Sequence, residues 1–113
     1  GEVALPSIGK STHSLAQAVD AVKQGADYIG FGPLFPTPTK LGRPAIGLEE
    51  IAEVHRMVDL PIFCIGGIKR ENLEAVLEAG ARRVVIVSGI LQASDIAGYC
   101  REVKTVLQKR MVQ

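Results

Sequence analysis

Tyr28-Ile29-Gly30-Phe31-Gly32-Pro33-Leu34-Phe35-Pro36-Thr37-Pro38-Thr39-Lys40 begins as a short apolar run of strand-forming residues and turns abruptly into glycine and proline. That change marks a strand running out into a loop. The loop ends in Thr37, Thr39 and Lys40, two hydroxyls and one ammonium spaced by residues of restricted φ. Such a set suits an anion with several oxygens. Pro36 and Pro38 have no N–H to donate and stiffen the backbone, so little entropy is left to lose when a ligand docks. The competing reading is a proline-rich surface linker or polyproline II segment. Segments of that kind seldom follow directly on a buried strand.

The same alternation extends in both directions. Upstream, Val3 to Ser11 reads as a weak strand, followed by the polar set Lys10, Ser11, Thr12 and His13. Ser14 and Gln17 make a capping-box pattern, and Leu15, Ala18, Val19 and Val22 form one apolar helical face that Gly25 ends. Downstream, Gly47 precedes a helix with Leu48, Ile51, Ala52, His55 and Val58 on one side. The run Ile62 to Ile65 is apolar throughout, as in a parallel strand covered on both faces, and stops at Gly66-Gly67. A helix from about Glu71 to Ala79 turns Leu73, Val76 and Leu77 inward. A fourth strand, Val84 to Val87, ends in Ser88-Gly89, and a last helix from about Ser94 carries Ile96, Tyr99, Cys100, Val103 and Leu107 on one face.

The order is therefore βαβαβαβα, with strands near 6–11, 28–32, 62–66 and 84–88. Strictly alternating strands and helices imply an α/β fold with parallel strands and right-handed crossovers. Gln24-Gly25-Ala26-Asp27-Tyr28-Ile29 and Ala79-Gly80-Ala81-Arg82-Arg83-Val84 repeat the passage from helix to glycine stop to strand. At 113 residues the chain is one domain, spanning residues 1–113 as four consecutive (β/α) units. A closed barrel of this kind needs eight units and about 250 residues. The sheet face that would meet the opposite strands, carrying residues such as Ile62 or Cys64, calls for cover: another copy, a partner, or refolding as a small doubly wound sheet.

Thirteen basic residues stand against 12 acidic ones, which leaves no charge block for nucleic acid. No apolar run is long enough to cross a bilayer, and the N-terminus lacks a signal-peptide pattern. The two cysteines form no C-x-x-C, and Cys64 lies in an apolar run where a reduced, buried thiol is expected. The expectation is a cytoplasmic protein that partners neither nucleic acid nor membrane.

Each conspicuous polar or glycine cluster follows a strand: Ser11 and His13, then Thr37–Lys40, then Gly66-Gly67, then Ser88-Gly89. In parallel α/β folds ligands bind at the carboxyl ends of the strands. Gly66-Gly67 permits close backbone approach, so that amide N–H groups can face a phosphate. Ser88-Gly89-Ile90-Leu91 suits a short helix start facing the same anion. The plain alternative for each glycine pair is a tight turn without a ligand.

Several of these stretches resemble successive motifs of the thiamine-phosphate synthase family and its thiazole tautomerase relatives. They are Ile8–Ser14, Gly25–Lys40, Ile65-Gly66-Gly67-Ile68 and Val87-Ser88-Gly89-Ile90, and Pro36-Thr37-Pro38-Thr39-Lys40 is the most family-specific of them. The resemblance covers nearly the whole chain and implies the C-terminal half of a TIM (β/α)8 barrel. It implies a transferase reaction of thiamine biosynthesis: hydroxymethylpyrimidine pyrophosphate loses pyrophosphate, and the nitrogen of a thiazole phosphate captures the pyrimidine carbocation. Carried over position by position, Ser11, Thr37, Thr39 and Lys40 would hold the departing pyrophosphate. Fixed donors and a cation help most where charge grows in the transition state. Gly67, Val87 and Ser88 would hold the thiazole phosphate. Lys40, Ser11 and His13 are the catalytic candidates.

Mg²⁺ is implied as cofactor, with its ligands expected from the missing N-terminal half, since no metal ligand is expected from this chain. The partners implied are small-molecule phosphate substrates and either an N-terminal half-barrel or a second copy of this chain. Self-pairing would duplicate the phosphate loops without supplying acidic metal ligands, and the chain alone is expected to be inactive. Two alternatives stand beside the synthase reading. One is a thiazole tautomerase using His13 as general acid/base, a task that suits an imidazole. The other is a non-catalytic phosphate-binding half-barrel. His55, on the apolar stripe of a helix, reads as structural, with one nitrogen satisfied locally.

Overall fold

Short apolar runs form the two central strands here, the polar run Gly9–Thr12 forms the first, and stretches of 3.6-residue apolar period form the helices between them. The computed structural model describes residues 8–36, 44–86 and 96–111, apart from the side chains of residues 99 and 109–111. In chain order the elements are β1 (Gly9–Thr12), α1 (Leu15–Lys23), β2 (Tyr28–Phe31), α2 (Ile51–Met57), β3 (Ile62–Cys64), α3 (Arg70–Glu78), β4 (Arg83–Val84) and α4 (Ile96–Met111). The strands lie side by side in the order β1-β2-β3-β4, every pair parallel. The register runs Ser11↔Gly30, Gly30↔Phe63 and Phe63↔Arg83. This is the expected α/β arrangement of strands alternating with helices.

Alternation along a strand sends successive side chains to opposite faces. Thr12, Ile29, Phe31, Ile62 and Cys64 point to one face and are buried there with Ala18 and Ala21 of α1, Ile51 and Val54 of α2, and Leu73 and Val76 of α3. Gly9, Ser11, Tyr28, Gly30, Phe63, Ile65, Arg83 and Val85 fall on the other face. That face is open, and Ile65 is 43% exposed. Ile62 and Cys64 thus lie under the helices, not on the uncovered face where the sequence reading put them. A wholly apolar run does not reveal which parity faces the helices. Nor is β3 covered on both faces as expected: among the described residues Ile62 and Cys64 are buried, while Phe63 is half-buried and Ile65 exposed on the other side.

Several boundaries also move. Among the described residues strand pairing on β1 begins at Gly9 and runs to Thr12, and the Ile8 carbonyl accepts from Asp27 N–H in the α1–β2 turn (2.7 Å). Among the described residues β4 pairs through Arg83 and Val84, and Val84 to Ile86 are half-buried at the edge of the described sheet. On α1 the buried pair is Ala18 and Ala21, small residues that let the helix sit close, while Val22 is exposed. On α2 Val54 is buried with Ile51 and Val58, and Ala52 is exposed. On α4 Val103 is buried with Val106 and Leu107 beside it, whereas Ile96 and Cys100 lie in the open. No helix among the described residues is long and apolar enough to cross a membrane.

Candidate functional site

The carboxyl ends of β1, β2 and β3 are tied to one another by their own backbone. Gly32 N–H donates to Thr12 C=O (3.2 Å), which joins the ends of β1 and β2. Leu34 N–H donates to Ile65 C=O (3.0 Å) and Phe35 N–H to Gly66 C=O (3.1 Å), which joins the start of the β2–α2 loop to the end of β3. The returning limb of that loop closes on the outgoing one: Ile46 N–H donates to Pro33 C=O (2.8 Å) and Gly47 N–H to Leu34 C=O (3.1 Å). The strand-end loops therefore share one side of the sheet, and the loop bearing Thr37, Thr39 and Lys40 leaves from the middle of it. Gly32 is required at this junction, since a Cβ there would run into the Ile65 carbonyl oxygen.

His13 sits at the start of α1. Its Nδ1 lies 2.7 Å from the Gly32 carbonyl oxygen. A carbonyl only accepts, so Nδ1 carries the proton and, in the neutral ring, Nε2 keeps its lone pair. The backbone N–H of His13 donates to Gln17 Oε1 (2.8 Å), while Gln17 N–H donates to Ser14 Oγ (3.2 Å). The capping exchange foreseen at Ser14 thus reaches one residue further back and fixes His13 itself. Thr12 Oγ1 donates to Gly30 C=O (2.7 Å) under the helices, leaving Ser11 as the hydroxyl of β1 on the open face.

Gly66 and Gly67 have φ values of +103° and +71°, a left-handed turn that residues with a Cβ rarely adopt. A Cβ on Gly67 would also come within 2.8 Å of Phe35 Cβ. The turn is gripped from the helix side by Asn72, which the sequence reading passed over. Its Nδ2 donates to Gly67 C=O (3.0 Å) and its Oδ1 accepts from Lys69 N–H (2.7 Å). An asparagine at the third position of the helix after a Gly-Gly turn was the signal for it.

Of the candidate residues, Ser11, His13 and Gly67 fall on this side of the sheet. Thr37, Thr39, Lys40, Val87 and Ser88 lie outside the described residues. The open face below the loops is a concavity of about 780 Å³ lined by Gly9, Ser11, Tyr28, Phe63, Arg83 and Val85. Tyr28 and Phe63 meet edge to face at 5.8 Å between centroids, and the Arg83 guanidinium stands 6.0 Å from the Phe63 ring centre.

His55 is far from this end. Burial, then the nearby Arg82 and Arg83 charges, hold its imidazole below the usual histidine range. Its buried Nε2 has no hydrogen-bond partner among the described residues, so the local partner expected for it is not at that nitrogen. Burial pushes the Cys64 thiol up to about 11. Among the described residues no three His, Cys, Asp or Glu side chains gather as a metal centre.

The sequence profile described as thiamine monophosphate synthase matches residues 5–90. A thiamine-phosphate synthase of Gloeobacter violaceus is 51% identical over 88 residues, covering 78% of this chain and 26% of that protein. One from Mycobacterium sp. (strain KMS) is 47% identical over 106 residues, covering 93% of this chain and 47% of that protein. Among solved structures, a thiamine phosphate pyrophosphorylase from Pyrococcus furiosus superposes with a TM-score of 0.79 at 34% identity, over 90% of this chain and 48% of its own. The chain spans less than half the length of each of these relatives. With four parallel β/α units, strand-end loops bound together on one side, and a family profile covering most of its length, this chain belongs to the thiamine monophosphate synthase family.

Proposed function

We propose that residues 1–113 form a single (β/α)4 half-barrel, the C-terminal and phosphate-holding half of a thiamine-phosphate synthase. The reaction joins hydroxymethylpyrimidine pyrophosphate to a thiazole phosphate and releases pyrophosphate. The observation that carries this reading is the mutual tethering of the loops after β1, β2 and β3, from which the Thr37–Lys40 loop departs. Ser11, Thr37, Thr39 and Lys40 hold the leaving pyrophosphate, where fixed donors and a cation stabilise charge that grows in the transition state. Gly67, Val87 and Ser88 hold the thiazole phosphate. His13, with Nδ1 committed to Gly32, presents Nε2 as a fixed acceptor beside the site.

The described residues do not offer a ligand set for Mg²⁺. Asp27 accepts from Ile8 N–H at the opposite, amino-terminal end of β2, and Asp20 is exposed on α1. The metal's protein ligands are assigned to the N-terminal half-barrel. That half is also the partner favoured for the open sheet face, since a second copy of this chain brings the same loops again and no acidic set. The unpaired cysteines, Cys64 buried and Cys100 exposed, support a reducing, cytoplasmic compartment.

The test combines this chain with the N-terminal half of a family member and measures thiamine phosphate formation alongside mass by light scattering. A 1:1 complex with turnover, lost on Thr37→Ala/Lys40→Ala, is the expected result. Turnover that survives the double substitution overturns the assignment of the pyrophosphate loop.

A further inference from the structure

We infer that Asn72 is a positioning residue for the Gly66-Gly67 turn, setting which of its amides face the bound phosphate. This rests on the reading of Gly67 as part of the thiazole phosphate cradle. A trans peptide unit points its C=O and N–H in opposite directions. Asn72 Nδ2 holds the Gly67 carbonyl toward α3 (3.0 Å), so the N–H of Ile68 in the same peptide unit is turned away from the helix. Neither Gly67 N–H nor Ile68 N–H has a hydrogen-bond partner among the described residues, while the Gly66 carbonyl is held from the other side by Phe35 N–H (3.1 Å). The turn is thus fixed at both ends with its free donors left in the middle.

Asn72 is itself held. Its Oδ1 accepts from Lys69 N–H (2.7 Å), and its own N–H donates to Lys69 C=O (3.1 Å). Only a side chain with one acceptor and one donor on the same short stem serves both contacts. Two glycines in the left-handed region have wide conformational freedom, and without the clamp their peptide planes can rotate. The cost then falls on the ligand whose phosphate the amides receive, and not on the pyrophosphate held by the neighbouring loop.

The experiment uses Asn72→Asp and Ser88→Ala in the assembled synthase. The aspartate keeps the acceptor for Lys69 N–H and sets an oxygen against the Gly67 carbonyl. The expected result is a rise of about tenfold or more in KM for thiazole phosphate, of the size a lost charge-assisted contact gives, with KM for the pyrimidine pyrophosphate within about twofold of wild type. Ser88→Ala reports on the cradle itself. If Ser88→Ala raises the thiazole phosphate KM and Asn72→Asp leaves it unchanged, or raises both KM values alike, the clamp is overturned and the cradle stands. If neither variant moves it, the cradle reading falls and the clamp with it. A measurement on the wild-type protein covers a variant that does not fold: phosphorus-to-nitrogen couplings from bound thiazole phosphate to the Gly67 and Ile68 amides are expected, and their absence overturns the inference.

Discussion

The two faces of one short sheet behave as if they came from different proteins. Under the helices, Ile29, Phe31, Ile62 and Cys64 are all but sealed from solvent. One residue away along the same strands, Tyr28, Phe63 and Ile65 stand open or half-open around a concavity. The residue types are similar, so composition does not cause the difference. Parity does, together with what covers each side. The covered face carries the stability of the chain. The uncovered one carries apolar side chains around a concavity, which on the proposed half-barrel reading a further layer of strands buries, and the strand-end loops rise between the two.

Chemical reactivity gives the widest contrast. With its thiol near pKa 11, Cys64 is about one part in a thousand ionised at pH 8, and it is fully buried. A thiol reagent at that pH is expected to label buried Cys64 at least ~100-fold more slowly than exposed Cys100, with both equal in denaturant. Equal rates in the folded chain would mean that the helix-covered face opens readily.

Stability gives the next. Phe31→Ala removes a fully buried ring and is expected to cost about 3–5 kcal/mol in urea unfolding. Phe63→Ala, on the open face, loses mainly its edge contact with Tyr28 and is expected to cost about 1 kcal/mol in the chain alone. On the half-barrel reading, adding the N-terminal half should raise the second figure and leave the first alone. Similar costs in the isolated chain would erase the distinction between the faces.

The smallest effect is on pH. His55 is held neutral in the folded chain by burial and by Arg82 and Arg83, so its folded pKa lies below the unfolded value near 6.5. The unfolded state then binds more protons in that window. Stability present above pH 6.5 is lost as pH falls through the folded value. His55→Gln should flatten the decline in Tm between neutral and mildly acidic pH. An unchanged slope would place the titrating group elsewhere.

Much of this was legible in the residues. The strand–helix alternation, the glycine stops and the Ser14/Gln17 pair are local signals, and they marked the right elements to within a few positions. The loops at the strand ends stood out in the chain because glycine, proline and hydroxyl residues cluster after each strand. What stayed hidden was relational. An apolar run such as Ile62-Phe63-Cys64-Ile65 reads the same in either parity, so the inward set could not be chosen from the chain. The hydrogen bond from His13 to Gly32 spans 19 positions, and the Leu15 N–H contact with Glu50 Oε1 spans 35. No local pattern announces such pairs.

The sequence by itself therefore determined the order and kind of the elements, because periodicity and backbone preference act over a few residues. Only the tertiary structure decided which face is covered, which nitrogen of His13 carries the proton, and that Asn72 holds the Gly67 carbonyl. Those outcomes depend on groups brought together across the sheet, where burial and hydrogen-bond geometry are set by the packing of distant segments.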